Sequence, residues 1–387
     1  MSTYDFAQHL ALVKAESTYG TDPTVAFEDL VVLSGAPQLT PLAGNWRSRE
    51  YADGLAGAKE EVLGSPHGVL SLAAELAGAS AAGVAPQWAA LLLACGFAET
   101  IVADTSVTYA PVSASYSSCA AQVNIDGVDQ EHFGVRGNAV LEGRGGEVPK
   151  LNFAMLGIRQ AVAAVTQPSG TLPTVVRGKE VSGVNTTVTL AGTALCVSDF
   201  QIDLGRSPVF DDIAGCREVR VNSRAMSGRM TVDLPTIATK NLIEEAVAYT
   251  RQALVLTHCV GASAGQVITI TAPKVQMKPG QLANRNGVLS LPIDLVITPD
   301  SGDDAPPPGH SFRMIPWVAG WGRGPGPQPD NETTGATPHA DDTQTGNLRL
   351  AGAGAAPARR REVRHARLHR DLQGSLQHSF HGTDGCP

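Results

Sequence analysis

The sequence predicts a mainly β protein with small packed helices, built as an internally duplicated unit and followed by a C-terminal tail without regular structure. Three observations carry this. Short runs of alternating apolar and polar residues recur through residues 1–304. Turn signals such as Asp126-Gly127 and Gly143–Gly146 separate them and read as hairpin ends. The composition agrees: 41 Gly and 25 Pro among 387 residues, with aromatics at only 5%, favour strands joined by many turns.

Along the chain, alternation predicts strands at Val69–Leu76, Ala120–Ile125, Asn138–Glu142, Lys150–Leu156, Thr186–Leu190 and Phe200–Leu204. It predicts three more at Arg229–Leu234, Gln266–Thr271 and Val288–Ile297. In these strands Ser71, Glu75, Asn138, Glu142, Thr231 and Asp233 fall on polar faces, while Leu70, Leu72, Leu141, Met230 and Val232 fall on the opposite ones. Pro86–Phe97 has helical length, opening on Pro and carrying Gly96 near its end. Asn241–Val255 is a second helical candidate, with Glu244 and Glu245 suited to the positive end of the helix dipole.

A weak repeat runs through these elements. Tyr51–Gly57 resembles Phe210–Gly215, and a glycine-led strand follows each, Gly68 to Leu76 and Gly228 to Leu234. A helical stretch comes next in both cases, and each half closes on a hydrophobic strand, Lys150–Leu156 or Val288–Ile297. One β unit used twice is the economical reading, with units at 1–165 and 166–304. Residues 305–387 differ in kind: they hold nine Arg, no Lys, seven Asp or Glu and six of the ten His. With one Ile and no alternating run, that stretch has nothing from which to build a core.

Composition also excludes function classes. A net charge of −8 argues against a nucleic-acid grip, which requires clustered Lys and Arg, and does not exclude a surface past which DNA slides without sticking. The six Cys are widely spaced with no C-x-x-C, so they read as buried thiols in a reducing compartment and neither as a disulfide framework nor as a zinc site. The N-terminus has no basic-then-apolar secretory pattern, and the longest apolar stretch, Trp88–Phe97, is about half of a membrane span. A cytoplasmic protein is expected.

Catalytic patterns are weak. Gly261-Ala262-Ser263-Ala264-Gly265 matches the G-x-S-x-G nucleophile elbow, but that motif requires a helix after the serine, and the sequence after it reads as a strand. His365 and His369 have one-face helical spacing, with His378, His381 and Cys386 following, but they sit where no core can hold a ligand shell. Asp211-Asp212, Glu244-Glu245 and Asp303-Asp304 lack EF-hand spacing, and His9, His67, His132 and His258 are isolated. No paired acid and base emerges, and neither an enzyme nor a cofactor or metal is expected.

Several segments, in order, resemble the tail tube proteins of siphophage-type bacteriophages and prophages, those with long non-contractile tails. They are Leu12–Asp22 (LVKAESTYGTD), Trp88–Glu99 (WAALLLACGFAE), Ser106–Val112, Asn124–Gly127 and Val135–Phe153, then Asp203–Gly205, Asp233–Lys240, Thr269–Val275 and Leu289–Ile293. The resemblance implies a β-sandwich or barrel subunit that assembles into rings stacked as a tube. It implies as partners the tape measure protein in the lumen and terminator and tip proteins at the ends. DNA would pass through without specific binding, and the protein would reside in the virion tail after a period in the host cytoplasm. Rings would be hexamers or, if the duplication holds, trimers with pseudo-six-fold symmetry. Ser71, Glu75, Asn138, Glu142, Thr231 and Asp233 are candidates to face the lumen, and the extended segments 2–24 and 47–66 to bridge to the next ring. The tail from 305 departs from the family pattern and reads as frame-shifted or disordered sequence. Two other readings stand beside this one: a β-sandwich binding module such as an adhesin or tail-tip component, and a serine hydrolase built on Ser263.

Overall fold

A computed structural model describes residues 3–52 and 56–299, together with the backbone of Arg313–Trp317. The first half of the chain supplies β1 (His9–Ala15), β2 (Gln38–Ser48), β3 (Glu61–Glu75), α1 (Ala89–Ala94), β4 (Phe97–Val102) and β5 (Ser106–Pro111). It continues through β6 (Cys119–Ile125), β7 (Val128–Arg144), β8 (Lys150–Arg159) and the short β9 (Ala163–Ala164). The second half supplies β10 (Thr186–Leu190), β11 (Thr193–Leu195), β12 (Val197–Asp203), β13 (Arg206–Ile213), β14 (Cys216–Arg224) and β15 (Ser227–Asp233). After α2 (Leu242–Val247) come β16 (Arg251–His258), β17 (Val267–Pro279), β18 (Ala283–Arg285), β19 (Val288–Ile297) and β20 (Arg313–Trp317). All nine strands expected from alternation lie within or overlap these elements.

The ladders repeat. In the first half the antiparallel order is β1-β6-β7-β8-β3-β2. In the second it is β10-β16-β17-β19-β15-β12, with a helix again between the third and fourth of these strands along the chain. A bulge recurs at the same place, between Cys119 and Ala121 in one half and between Gln252 and Leu254 in the other. Met155 faces Gly137 and Leu70, whereas Leu295 faces Met277 and Gly228, which makes Leu70 the counterpart of Gly228. The match of Glu75-Leu76 with Asp233-Leu234 is therefore kept, and that of Gly68 with Gly228 moves by two residues.

The inward sides of these strands form one core. Leu70, Leu72 and Ala74 of β3, Ala139 and Leu141 of β7 and Phe153 of β8 pack with Ile202, Met230, Val232 and Ile293 of the second half in a single buried cluster. Each large side chain so buried contributes about 1.5–3 kcal/mol. The two halves share that core and form one compact unit spanning Met1–Gly322.

Both helices are shorter than expected. The first stops at Ala94 because Gly96 turns the chain with φ +81° and Phe97 already begins β4. The second stops at Val247: Tyr249 has φ +53°, and Arg251–Val255, expected as helix, is strand, with Gln252, Leu254 and Leu256 alternately buried. In α2 the Asn241 side chain caps the helix by accepting from the Glu244 N–H. Within 305–387 only the backbone of β20 is described; it pairs with Val267–Thr271 of β17 and, through Met314, with Tyr109. The remainder of that tail, with its His and Cys, lies outside the described residues, as do 53–55 of the Tyr51–Gly57 segment and 300–304.

Candidate assembly interface

Partners across an antiparallel ladder project to the same face. The registers therefore trace one row of side chains across seven strands: Glu75, Lys150, Glu142, Gln201, Arg229, Asp294 and Lys278. The six polar residues singled out in the sequence all lie on this face, opposite the core. Their side chains do not converge; each has its own surroundings. Ser71 is exposed and shares a row with Ala154 and Asn138. Glu75 accepts from the Gly178 N–H at 3.0 Å, and Glu142 accepts from Asn152 at 2.9 Å and Gln201 at 3.1 Å. Thr231 donates to Asp199 at 3.0 Å, and Asp233 pairs with Arg285. Alternating signs along the row keep any one charge from dominating locally.

Two of these residues belong to a joint that alternation did not reveal. β7 is long enough to hold β6 along its first part and β12 along its last, where Asp203 faces Val140, Ile202 faces Leu141, Gln201 faces Glu142 and Phe200 faces Gly143. The Leu204 N–H donates to the Ala139 carbonyl at 3.1 Å and the Gly145 N–H to Ser198 at 2.8 Å, extending the ladder at both ends. Asn138 ties it from the side: its amide donates to Asp203 at 2.7 Å and its carbonyl accepts from the Arg206 N–H at 3.0 Å.

Arg206 then crosses from the second half into the first. Only 4% exposed, it donates to the carbonyls of Gly96 (2.8 Å) and Val112 (2.9 Å) and lies over the Tyr116 ring. Burial lowers its pKa, and the two carbonyls with the aromatic face replace part of the water it loses. Gly96 is required twice over, by its positive φ and because a Cβ there would lie 2.7 Å from the Arg206 Nη2.

Past Arg206 the β13–β14 hairpin forms an arm over the first half. Phe210 stacks on His67 with centroids 4.8 Å apart, and Arg217 donates to the Pro66 carbonyl at 2.7 Å. Val219 receives Arg136 on its carbonyl at 2.9 Å and donates its N–H to the Tyr19 hydroxyl at 2.6 Å. Burial raises the Tyr19 pKa, so that hydroxyl stays protonated.

Chemistry is sparse elsewhere, and the expectation of buried thiols holds for Cys95, Cys119 and Cys259 but not for Cys196 and Cys216, which are exposed. Ser263 is exposed in the loop joining β16 to β17, followed by strand and not by helix, so the elbow geometry is missing. His132 is 1% exposed, and burial, with help from Arg159, lowers its pKa to about 4. His258 is fully buried, its pKa lowered by the same cause, and its Nδ1 meets the Thr186 hydroxyl at 2.9 Å. Among the described residues no group of His, Cys, Asp or Glu could hold a metal, and no helix is long and apolar enough to cross a membrane.

Comparison with known proteins gives one result. A family model described as phage tail tube protein matches residues 7–305. No curated protein matches the chain.

Proposed function

From the membership of this chain in the phage tail tube family, we propose that it is the repeating subunit of a long, non-contractile tail, closing into rings that stack around a channel. A structural role in the tail tube follows from the family itself. The finer reading rests on one observation: the same six-strand order occurs twice, and β7 and β12 join the two copies edge to edge. A strand edge left open invites pairing with another chain, and a closed barrel leaves none open. Three chains, each carrying two copies, would complete a ring of pseudo-six-fold symmetry. The units divide at 165/166, in the stretch between β9 and β10.

In that ring the face carrying Ser71, Glu75, Asn138, Glu142, Thr231 and Asp233 lines the lumen. Its carboxylates weaken DNA adhesion, and its lysines and arginines keep the field modest. The tape measure protein occupies this lumen until ejection, with terminator and tip proteins at the two ends. Electron microscopy of the concentrated full-length protein is the test: stacked rings or tubes with a central channel are expected, and dispersed globules at every concentration would overturn the proposal. For the lumen, Ser71→Lys, at an exposed position of this face away from the joint, should leave tubes intact while slowing DNA delivery at low salt; unchanged delivery would place this face elsewhere.

A further inference from the structure

The internal joint has an unfilled twin at each end of the chain. By the ladder correspondence above, β2 is the counterpart of β12, and the end of β17 with the residues beyond it is the counterpart of the last part of β7. β12 is paired on both edges, with β15 and with β7. Among the described residues, β2 forms a ladder only with β3. Past Gln276, which still faces Arg251, β17 and β18 pair, among the described residues, only with β19. One chain thus offers one free strand and one free receiving edge.

The surroundings of the two free edges match this. The second half's arm buries Val219 and Val221 against the first half, although Val209 and Ile213 stay exposed; in the corresponding arm of the first half, where β2 and β3 run on together past Asn45 and Gly64, Trp46 is 58% exposed. In α1, beside the filled joint, four of six residues are buried. In α2, beside the open one, only Leu242 is buried, and Val247 and Tyr249 are exposed, as is Leu282 on the receiving edge. Apolar surface gathered at both free edges marks them as places awaiting cover.

The geometry points to a second copy of this chain as that cover. Its β2 adds to the free 280–284 edge as β12 adds to β7, with Leu39 opposite Gln281 and Gln38 opposite Leu282. Its β2–β3 arm then lies over the receiving half as β13–β14 lies over the first half. The contact is head to tail, so it closes when the rotation between halves returns to its start. Pro37 at the head of β2 and Pro279 at the end of β17 have no N–H to donate, which limits the registers in which the edges can pair. This assignment rests on the ring reading above but is narrower than it.

The test is disulfide trapping in the full-length chain with Cys196, Cys216 and Cys386 replaced by serine. Gln38→Cys with Leu282→Cys, or Leu39→Cys with Gln281→Cys, should give on oxidation a covalent ladder ending at three chains, and the single-cysteine variants should stop at dimers. Cα atoms of partners across a strand pair lie within the reach of a disulfide. As a second arm, Leu39→Pro, which also gives up a side chain half-buried against the core, should keep the β-rich circular dichroism of the folded subunit yet form no rings. Rings visible in the microscope with neither pair cross-linking, or rings from Leu39→Pro, would overturn this joint and leave the tube reading standing. Absence of rings from the wild-type chain would overturn both.

Discussion

The joint between β7 and β12 and the two free edges are built on one strand plan, but their side chains differ. At the filled joint Glu142 faces Gln201 and Asn138 binds Asp203, with Arg206 buried behind them. At the free edges the corresponding positions carry Leu282, Gln38, Lys278 and Thr40, all exposed. A contact made once, within a chain during folding, can rest on a buried guanidinium and on hydrogen bonds that must be satisfied as the core closes. A contact made between finished subunits has to leave each subunit soluble first. The difference explains why the repeat is weak in sequence while its ladders agree strand for strand.

Variants can break that comparison at graded cost. The largest effect is expected at Arg206. Arg206→Ala leaves the Gly96 and Val112 carbonyls buried without their charged donor and should lower unfolding free energy by about 3–5 kcal/mol in denaturant titrations. An unchanged midpoint would mean the joint does not depend on this clamp. Acid should come next. His132 is held neutral with a pKa of about 4, below the ordinary 6.5, so between those values the unfolded chain takes up a proton that the folded chain refuses. Stability present above pH 6.5 is therefore lost as pH falls toward 4, by about 3 kcal/mol, and His258 adds in the same direction. His132→Gln should flatten that slope, and an equally steep pH profile in the variant would assign the loss to other groups.

Asn138→Ala removes both hydrogen bonds to the Asp203–Arg206 corner and should cost about 1–2 kcal/mol. The equivalent change at the free edge, Lys278→Ala, should cost nothing measurable in the isolated subunit, so the pair of variants reads the asymmetry directly. Smallest of all is Trp46→Ser on the uncovered arm: within about 0.5 kcal/mol of wild type in unfolding. Its effect should appear instead as a higher protein concentration required for assembly, followed by light scattering.

What the sequence made legible follows the same division. Strands with one dry face, such as β3, β8 and β19, advertise themselves by alternation: Leu70, Leu72 and Ala74 are buried and Ser71 is exposed. The arm strands β13 and β14 carry charged residues on both sides, Asp211, Asp212, Arg217 and Glu218 among them, and show no period to read. β16 was hidden because the run Glu244–Leu256 is rich in good helix formers, and only the turn at Tyr249 and pairing with β10 and β17 make its latter part a strand. The six polar residues share one face of the sheet, which strand parity alone dictates. That two of them, Asn138 and Glu142, sit at the joint depends on contacts such as Asn138–Asp203, 65 residues apart, which no local pattern encodes. Arg206 gave no signal beyond being an arginine next to a glycine turn.

The central claim is that each chain carries two tube units joined as neighbouring chains are joined. The mass of a single isolated ring tests it most directly. Three copies of the 40.2 kDa chain per ring are predicted, with six lobes in projection; a ring containing six copies of the whole chain would contradict it.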